Sequence, residues 1–318
     1  MSKLAYAAAA FALISVPVAL AQEPDIVVVG ERLEAVSREF ATEIGAPSTR
    51  EDQLARWDER VCVGASGLAP EQSRIVVDRL SARAAEVGLR IGEPNCRANI
   101  MVIFATDSDA VARTLVSERR DLMGYYTHDG VSSGGREGLE AFANTPRAVR
   151  WWQVARNVTA DGRVLDNPNT TPAASGEEAA SAAQAMAAGQ PPAGIGAFNG
   201  AQGVRSRGSR LYRETRQDLN YIVIIVDTQR IAEFPTSAVL DYISMVALAQ
   251  VNPAAEPSMV PSILNLFTAP IEETPEGMTD WDLAYLRGLY RAARDAPNSR
   301  SQVNEIARSM AAELSDQP

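Results

Sequence analysis

The chain has 318 residues, with 40 acidic side chains against 30 basic ones and a formal net charge of −10. Such an acidic chain repels phosphate backbones, which argues against a nucleic acid as partner. Its lysine, Lys3, lies in an N-terminal leader and its histidine is His128. A lysine Schiff base, a phosphate-loop lysine and a two-histidine zinc site are therefore excluded, and we expect no cofactor and no bound metal.

The leader, residues 1–21, has the features of a secretory signal peptide. Lys3 supplies the positive start, an apolar run follows, and a small-x-small site ends at Ala21. A transmembrane anchor is the alternative, but the run is short for a span and contains Pro17. We expect cleavage after Ala21, a periplasmic or secreted protein, and no stable membrane span afterwards.

Residues 22–58 are predicted to form an N-terminal leader and a helix. The leader begins with an acidic residue and an apolar run: Asp25, Ile26, Val27, Val28, Val29 and Gly30. This run resembles the TonB box of outer-membrane receptors. The resemblance implies an extended partner strand that pairs with the sheet edge of another envelope protein. The alternatives are the first strand of the domain itself, or a disordered leader.

A strand–helix–strand unit is predicted next, at the start of a single domain over residues 59–318. The strands fall at 60–68 and 99–106, with an amphipathic helix at 70–88 between them. A second helix follows at 107–119, with Asp107 or Ser108 as N-cap. Cys62 and Cys96 are expected to form a disulfide in an oxidising compartment, the alternative being two buried free thiols.

The rest of the chain predicts a strand at 148–158, a mobile excursion at 159–207 and a hairpin whose turn lies at 217–219. An apolar helix at 240–249 and two amphipathic helices at 279–294 and 298–314 follow. The predicted fold class is α+β: a mixed sheet with a βαβ-like N-terminal unit and a helical C-terminal half.

Three motifs suggest hydrolytic chemistry only weakly. The sequence "GVSSG" beside His128 lacks the buried strand that a serine nucleophile elbow needs. Asp227 in "VDTQ" lacks the glycine of an aspartic-protease loop and is interpreted as the end of a strand. Acidic residues gather near a helix start, where the helix dipole favours them without catalysis: Glu272, Glu273, Asp280 and Asp282.

Several segments resemble a group of uncharacterised exported proteins of Gram-negative bacteria. They are "LARWDERVCVGASGL", "GEPNCRANIMVIFATDSD", "RWWQV" and "DYISMVALAQVNP", with "PSILNLF" behind the last. The resemblance covers most of the chain after the leader, and it implies no known activity.

A more distant resemblance concerns the apolar helix, "SILN" at 262–265 and "LRGLY" at 286–290. Their order is similar to that of a secreted zincin-like family with His-Glu at the start of its central helix. Asp241 and Tyr242 stand where His-Glu would stand, and Met245 stands at the next ligand position. The resemblance implies a zincin-like scaffold with a vestigial site and no metal. A plain core helix is the alternative.

The favoured function is a non-catalytic binding or scaffolding module of the cell envelope on a degenerate zincin-like scaffold, whose partner or ligand the sequence does not identify. The alternative is a metal-independent hydrolase that uses carboxylates. An apolar groove or an exposed strand edge would favour binding, whereas a deep pocket with a perturbed pair of carboxylates would favour an enzyme.

Overall fold

The computed structural model describes residues 25–48, 52–119, 123–124, 131–162 and 212–316. The signal segment, His128 and nearly all of the predicted excursion lie outside these residues. The helices are α1 (Asp25–Ile44), α2 (Pro70–Glu86), α3 (Ser108–Glu118), α4 (Gly135–Asn144), α5 (Thr236–Leu248), α6 (Asp280–Arg291) and α7 (Ser299–Ser315). The strands are β1 (Val63–Ser66), β2 (Ile100–Ala105), β3 (Val131–Ser133), β4 (Val149–Thr159) and β5 (Thr215–Asp227).

The strands form one mixed sheet in the order β1-β2-β5-β4-β3. The neighbours β1, β2 and β5 are parallel, while β4 runs antiparallel to β5 and to β3. The helix α2 connects β1 to β2, as in a βαβ unit, and α5, α6 and α7 follow the last strand. The predicted α+β class is therefore confirmed.

Both faces of the sheet are covered. The larger core joins α1, α2, α5, α6 and α7 to one face, and a smaller core joins α3 and α4 to the other. Successive side chains of β4 point to opposite faces of the sheet, so Trp151 lies in the larger core and Trp152 in the smaller one. None of the described helices combines the length and apolar character that crossing a membrane requires.

The cysteine pair lies at the entrance to the βαβ unit. Cys62 and Cys96 form a disulfide with their Cα atoms 6.0 Å apart, within the usual range. Cys62 immediately precedes β1, and Asn99, which immediately precedes β2, accepts a hydrogen bond from the Cys62 amide at 2.8 Å. The predicted pairing is confirmed, and it fastens the starts of two neighbouring parallel strands.

The helix α5 is the centre of the larger core. All of its residues from Ala238 to Leu248 are buried, which matches the prediction from its apolar pattern. It packs between the sheet and the C-terminal helices, so a polar side chain on it must find a partner inside the protein. Asp241 and Ser244 are the polar groups to which this applies, and Ser244 donates to the Leu240 carbonyl at 2.7 Å.

The structure differs from the prediction of an extended strand at Asp25–Gly30. These residues form the first turns of α1. Farther along, α1 is anchored by Phe40, which makes edge-on contacts with Trp281 and Tyr285 at ring distances of 6.1 Å. Once a helix is anchored, each added turn costs little even with β-branched residues, and an acidic residue suits its N-terminus. The segment is thus helical in this structure, and its pairing with a partner strand stays a prediction.

The predicted hairpin at 217–219 is also wrong, because Thr215–Asp227 is one long strand. Asp218 is buried beside Arg216, and the Leu219 amide donates to the Arg56 carbonyl at 2.9 Å, so this stretch is held inside the sheet. The irregularity appears instead as a register shift at Asn220, opposite Val154 and Ala155. Polar residues that serve buried ion pairs were mistaken for turn residues.

Candidate functional site

The most distinctive feature of the sheet is an open edge on β4. The short strand β3 pairs only with residues 154–156 of β4. From Val149 to Gln153, β4 is bonded to β5 on one side, and no strand among the described residues pairs with the other side. Unpaired strand edges readily accept another extended chain.

Backbone hydrogen bonds show which residues face that open edge. The Asp227 amide donates to the Ala148 carbonyl at 2.9 Å, whereas the Ile222 amide points away from β4 and donates to Asn99 at 2.8 Å. In an antiparallel strand, the backbone N–H and C=O groups of successive residues point to opposite sides. Arg150 and Trp152 therefore bond to β5, as Ala148 does. The backbone groups of Val149, Trp151 and Gln153 therefore point outward.

A groove of about 460 Å³ runs along this edge, and we call it the edge groove. One wall is α4 and its N-cap, where small residues leave room: Gly134, Gly138 and Ala141. The other wall consists of residues 46–48 and 250–254. An added Cβ at Gly134 would come within 3.2 Å of the Trp152 ring. The absence of a side chain at Gly134 therefore lets the start of α4 approach the strand.

The side chains of the open segment are fixed by hydrogen bonds on both faces of the sheet. The Trp151 indole donates to the Val251 carbonyl at 3.3 Å, and the Trp152 indole donates to Met123 at 3.0 Å. Gln153 donates to the carbonyl groups of Val246 and Ala249 at 2.8 and 2.6 Å. These hydrogen bonds fix the side chains of the open segment, and the consequence is a rigid, preorganised strand edge.

An ion-pair network supports one end of the groove. The buried guanidinium of Arg150 contacts Asp109 and donates to the Phe142 carbonyl at 2.9 Å, which joins β4 to α3 and α4. Arg230 binds the same carboxylate at 2.7 Å. Its hydrogen bond, together with the charge of Arg150, lowers the pKa of Asp109 to about 2 against the effect of burial.

The predicted vestigial site is occupied by an ion cluster rather than by an open pocket. The Asp241 carboxylate is fully buried and accepts hydrogen bonds of 2.7–2.9 Å from Arg79, Arg83 and the Met278 amide. Gly277 permits this approach, since an added Cβ would lie 2.8 Å from an Asp241 oxygen. Burial alone would raise the pKa of Asp241, but the hydrogen bonds outweigh it and hold that pKa below its usual value.

The structure does not bring the three residues of that site together. Met245 is buried in the larger core, and Tyr242 instead lines a separate cavity of about 430 Å³ with Phe234 and Phe267. We call this the Tyr242 cavity. It shares Arg147 and Pro253 with the edge groove, so the two concavities meet.

Among the described residues, the buried carboxylates with raised pKa values already have partners within the protein. Burial raises the pKa values of Asp218 and Asp282, but Asp218 pairs with Arg216 and Asp282 caps α6 through Thr279. Asp227 ends β5, as expected, and accepts from Ser108 at 2.8 Å. Within the described ranges, no three His, Cys, Asp or Glu side chains converge as a metal site.

Sequence reasoning missed the groove residues themselves. An edge is a property of strand order, and no local pattern reveals that β3 pairs only with residues 154–156 of the 11-residue strand β4. The available signals were the small residues Gly134 and Gly138 on one face of a short helix. Arg147 was a further signal, as a cation directly before a buried strand.

Comparison of this chain with known protein families, with curated proteins and with solved structures found no match.

Proposed function

We propose that this chain is an exported protein of the cell envelope that binds an extended segment of a partner protein along the edge groove, without catalysing a reaction. Export is supported by the signal-like residues 1–21, and the Cys62–Cys96 disulfide suits an oxidising compartment. The scaffold resembles the zincin-like family in the order of its central helix and following segments.

The observation that carries the proposal is the row of outward backbone groups at Val149, Trp151 and Gln153. A bound segment would continue the course of β3, antiparallel to β4, and satisfy these groups by strand pairing. The neighbouring groove walls would hold its side chains, while backbone bonding alone would tolerate many sequences. A larger concavity of about 1000 Å³ over β2 and β5 presents side chains but lacks such an edge.

A groove-filling variant tests this proposal. The probe is a fluorescein-labelled hexapeptide in which threonine and valine alternate and the last residue is phenylalanine. Ala141→Trp should fill the groove and weaken binding about tenfold or more, because a blocked groove removes the pairing surface. Fluorescence anisotropy with the full chain measures the affinity.

Asn144→Trp is the matched control. It places the same side chain on the same helix, at an exposed position that does not line the groove, and should leave the affinity within about twofold. Urea unfolding of both variants verifies that each is folded. Equal affinities for the wild type and Ala141→Trp would contradict the proposal, as would equal losses in both variants.

A further inference from the structure

The Tyr242 cavity lies where a chain bound in the edge groove would end. A segment antiparallel to β4 that enters beside Gln153 runs toward Val149, which lines the cavity. Arg147 and Pro253 line both concavities and mark the junction between them. The last residue of a bound segment would therefore arrive at Arg147.

The inner wall of the cavity is aromatic. The rings of Phe234 and Phe267 meet edge to face at a centroid distance of 4.9 Å, and those of Tyr242 and Phe267 meet at 4.8 Å. Val149 and Leu264 add apolar contacts on this side, while the rest of the lining includes Thr145, Thr268 and the exposed Glu256. A cavity of this size and character suits one large apolar or aromatic side chain.

The hydroxyl group of Tyr242 is an unused polar group in this lining. The residue is only 8% exposed, and its hydroxyl makes no hydrogen bond to any described residue. Burial raises the pKa of this hydroxyl, and the charge of Arg147, which lines the same cavity, opposes that rise. The hydroxyl therefore stays protonated at neutral pH and can donate to an incoming acceptor.

Arg147 is a cation without a carboxylate partner in the part of the chain that the structure describes. Its guanidinium donates to the Pro253 carbonyl, which uses only part of its five donors. Arg230, the other arginine that lines the cavity, already forms ion pairs with Asp109 and Asp227. An arginine with guanidinium donors left to bind a carboxylate thus lines the same cavity as the Tyr242 hydroxyl.

We propose that the Tyr242 cavity binds the free carboxyl terminus of the segment held in the edge groove, with Arg147 and the Tyr242 hydroxyl donating to the terminal carboxylate. The last side chain of the segment, large and apolar, occupies the aromatic lining. This inference rests on the proposed function and narrows its partner to a protein whose own C-terminus is extended and ends in such a residue.

The test compares three peptides, with 3-phenylpropanoate as a fourth ligand, against the full chain by titration calorimetry. The first is the unlabelled hexapeptide of alternating threonine and valine that ends in phenylalanine with a free carboxylate. The second is the same peptide with a C-terminal amide, and the third is the acid with its central backbone amides N-methylated. We expect the acid to bind about tenfold or more tightly than the amide, because the amide has no carboxylate to accept charge-assisted hydrogen bonds.

Three variants locate the effect. Arg147→Gln should remove the preference for the acid, and Tyr242→Phe, which deletes only the hydroxyl, should reduce it severalfold. Arg136→Gln is the control, since Arg136 is an exposed arginine on α4 that pairs with Glu140 outside both concavities, and it should retain the full preference.

The outcomes separate this inference from the proposed function. If the acid and the amide bind equally and N-methylation weakens binding of the acid, strand pairing stands and carboxylate recognition is overturned. If N-methylation has no effect while 3-phenylpropanoate alone binds and needs Arg147, the cavity is a small-carboxylate site and strand pairing is overturned. If no probe binds at millimolar concentration, both proposals are overturned.

Discussion

Replacing Asp241 by asparagine is expected to lower the free energy of unfolding by about 3 kcal/mol, because two arginines lose their shared counter-charge at a buried site. The carboxylate is fully buried and binds both Arg79 and Arg83. Removing one partner of a buried ion pair typically costs about 3–5 kcal/mol. The side chain of Arg79 is 37% exposed, so solvent screening places the expected loss of stability at the lower end of this range.

The pH dependence of this difference follows from the lowered pKa of Asp241. The stabilisation by its ionised carboxylate is fully present above the pKa of an unfolded aspartate, about 4, and is lost as the pH falls through the lower pKa of the folded state. The difference between the wild type and Asp241→Asn should therefore be largest near neutral pH and shrink in acid. Urea unfolding at several pH values measures it.

Asp78→Asn is the matched control, since Asp78 is an exposed carboxylate on α2, the same helix as the two arginines. Its effect should stay within about 0.5 kcal/mol. An Asp241→Asn effect as small as that of Asp78→Asn, or one that grows as the pH falls, would show that the ion cluster does not stabilise the fold.

Gly67→Ala is expected to lower the free energy of unfolding by about 3 kcal/mol, for two separable reasons. Gly67 follows β1 with a φ of 84°, a left-handed conformation that costs an L-residue about 1–2 kcal/mol. In addition, an added Cβ would lie 1.9 Å from the Phe104 carbonyl oxygen, a backbone atom of β2. That strand cannot move aside without breaking its own pairing.

Gly88→Ala separates the two reasons. Gly88 follows α2 with nearly the same φ, 83°, but no atom lies within 4 Å of an added Cβ. Its substitution should cost only the conformational part, about 1 kcal/mol. Urea unfolding of the two variants gives the cost of the clash as the difference, and equal values for both would contradict the close approach of Gly67 to β2.

The sequence allowed the regular part of this fold to be predicted because local signals and tertiary packing agree there. Amphipathic spacing placed α2, and Asp107, one of the two candidate N-caps, placed the start of α3, where it accepts a backbone hydrogen bond from the Ala110 amide. The two cysteines were sufficient to predict their pairing, since no other partner exists.

The wrong structural predictions share a physical cause. The conformation and role of a polar residue or an apolar run depend on the residues that pack against it in the fold. Asp218 suggested a turn, but it is buried in β5 beside Arg216. The valines after Asp25 suggested a strand, but they extend a helix that Phe40 anchors elsewhere. Asp241 could be placed on a buried helix from its pattern, whereas its arginine partners are about 160 residues away in sequence.

The groove was beyond prediction for the same reason. Its existence depends on where β3 stops pairing with β4 and on which loop lies beneath Trp151. Neither fact is local. From the sequence we expected that an exposed strand edge would indicate binding, and the fold has such an edge on β4.

Backbone amide exchange along β4 tests strand pairing in the edge groove most directly. Saturating hexapeptide acid should slow exchange at the outward amides of Val149, Trp151 and Gln153. The amides of Arg150 and Trp152, already bonded to β5, should change little. Unchanged exchange at all five amides, or slowing without this alternation, would contradict the proposal that a partner strand binds there.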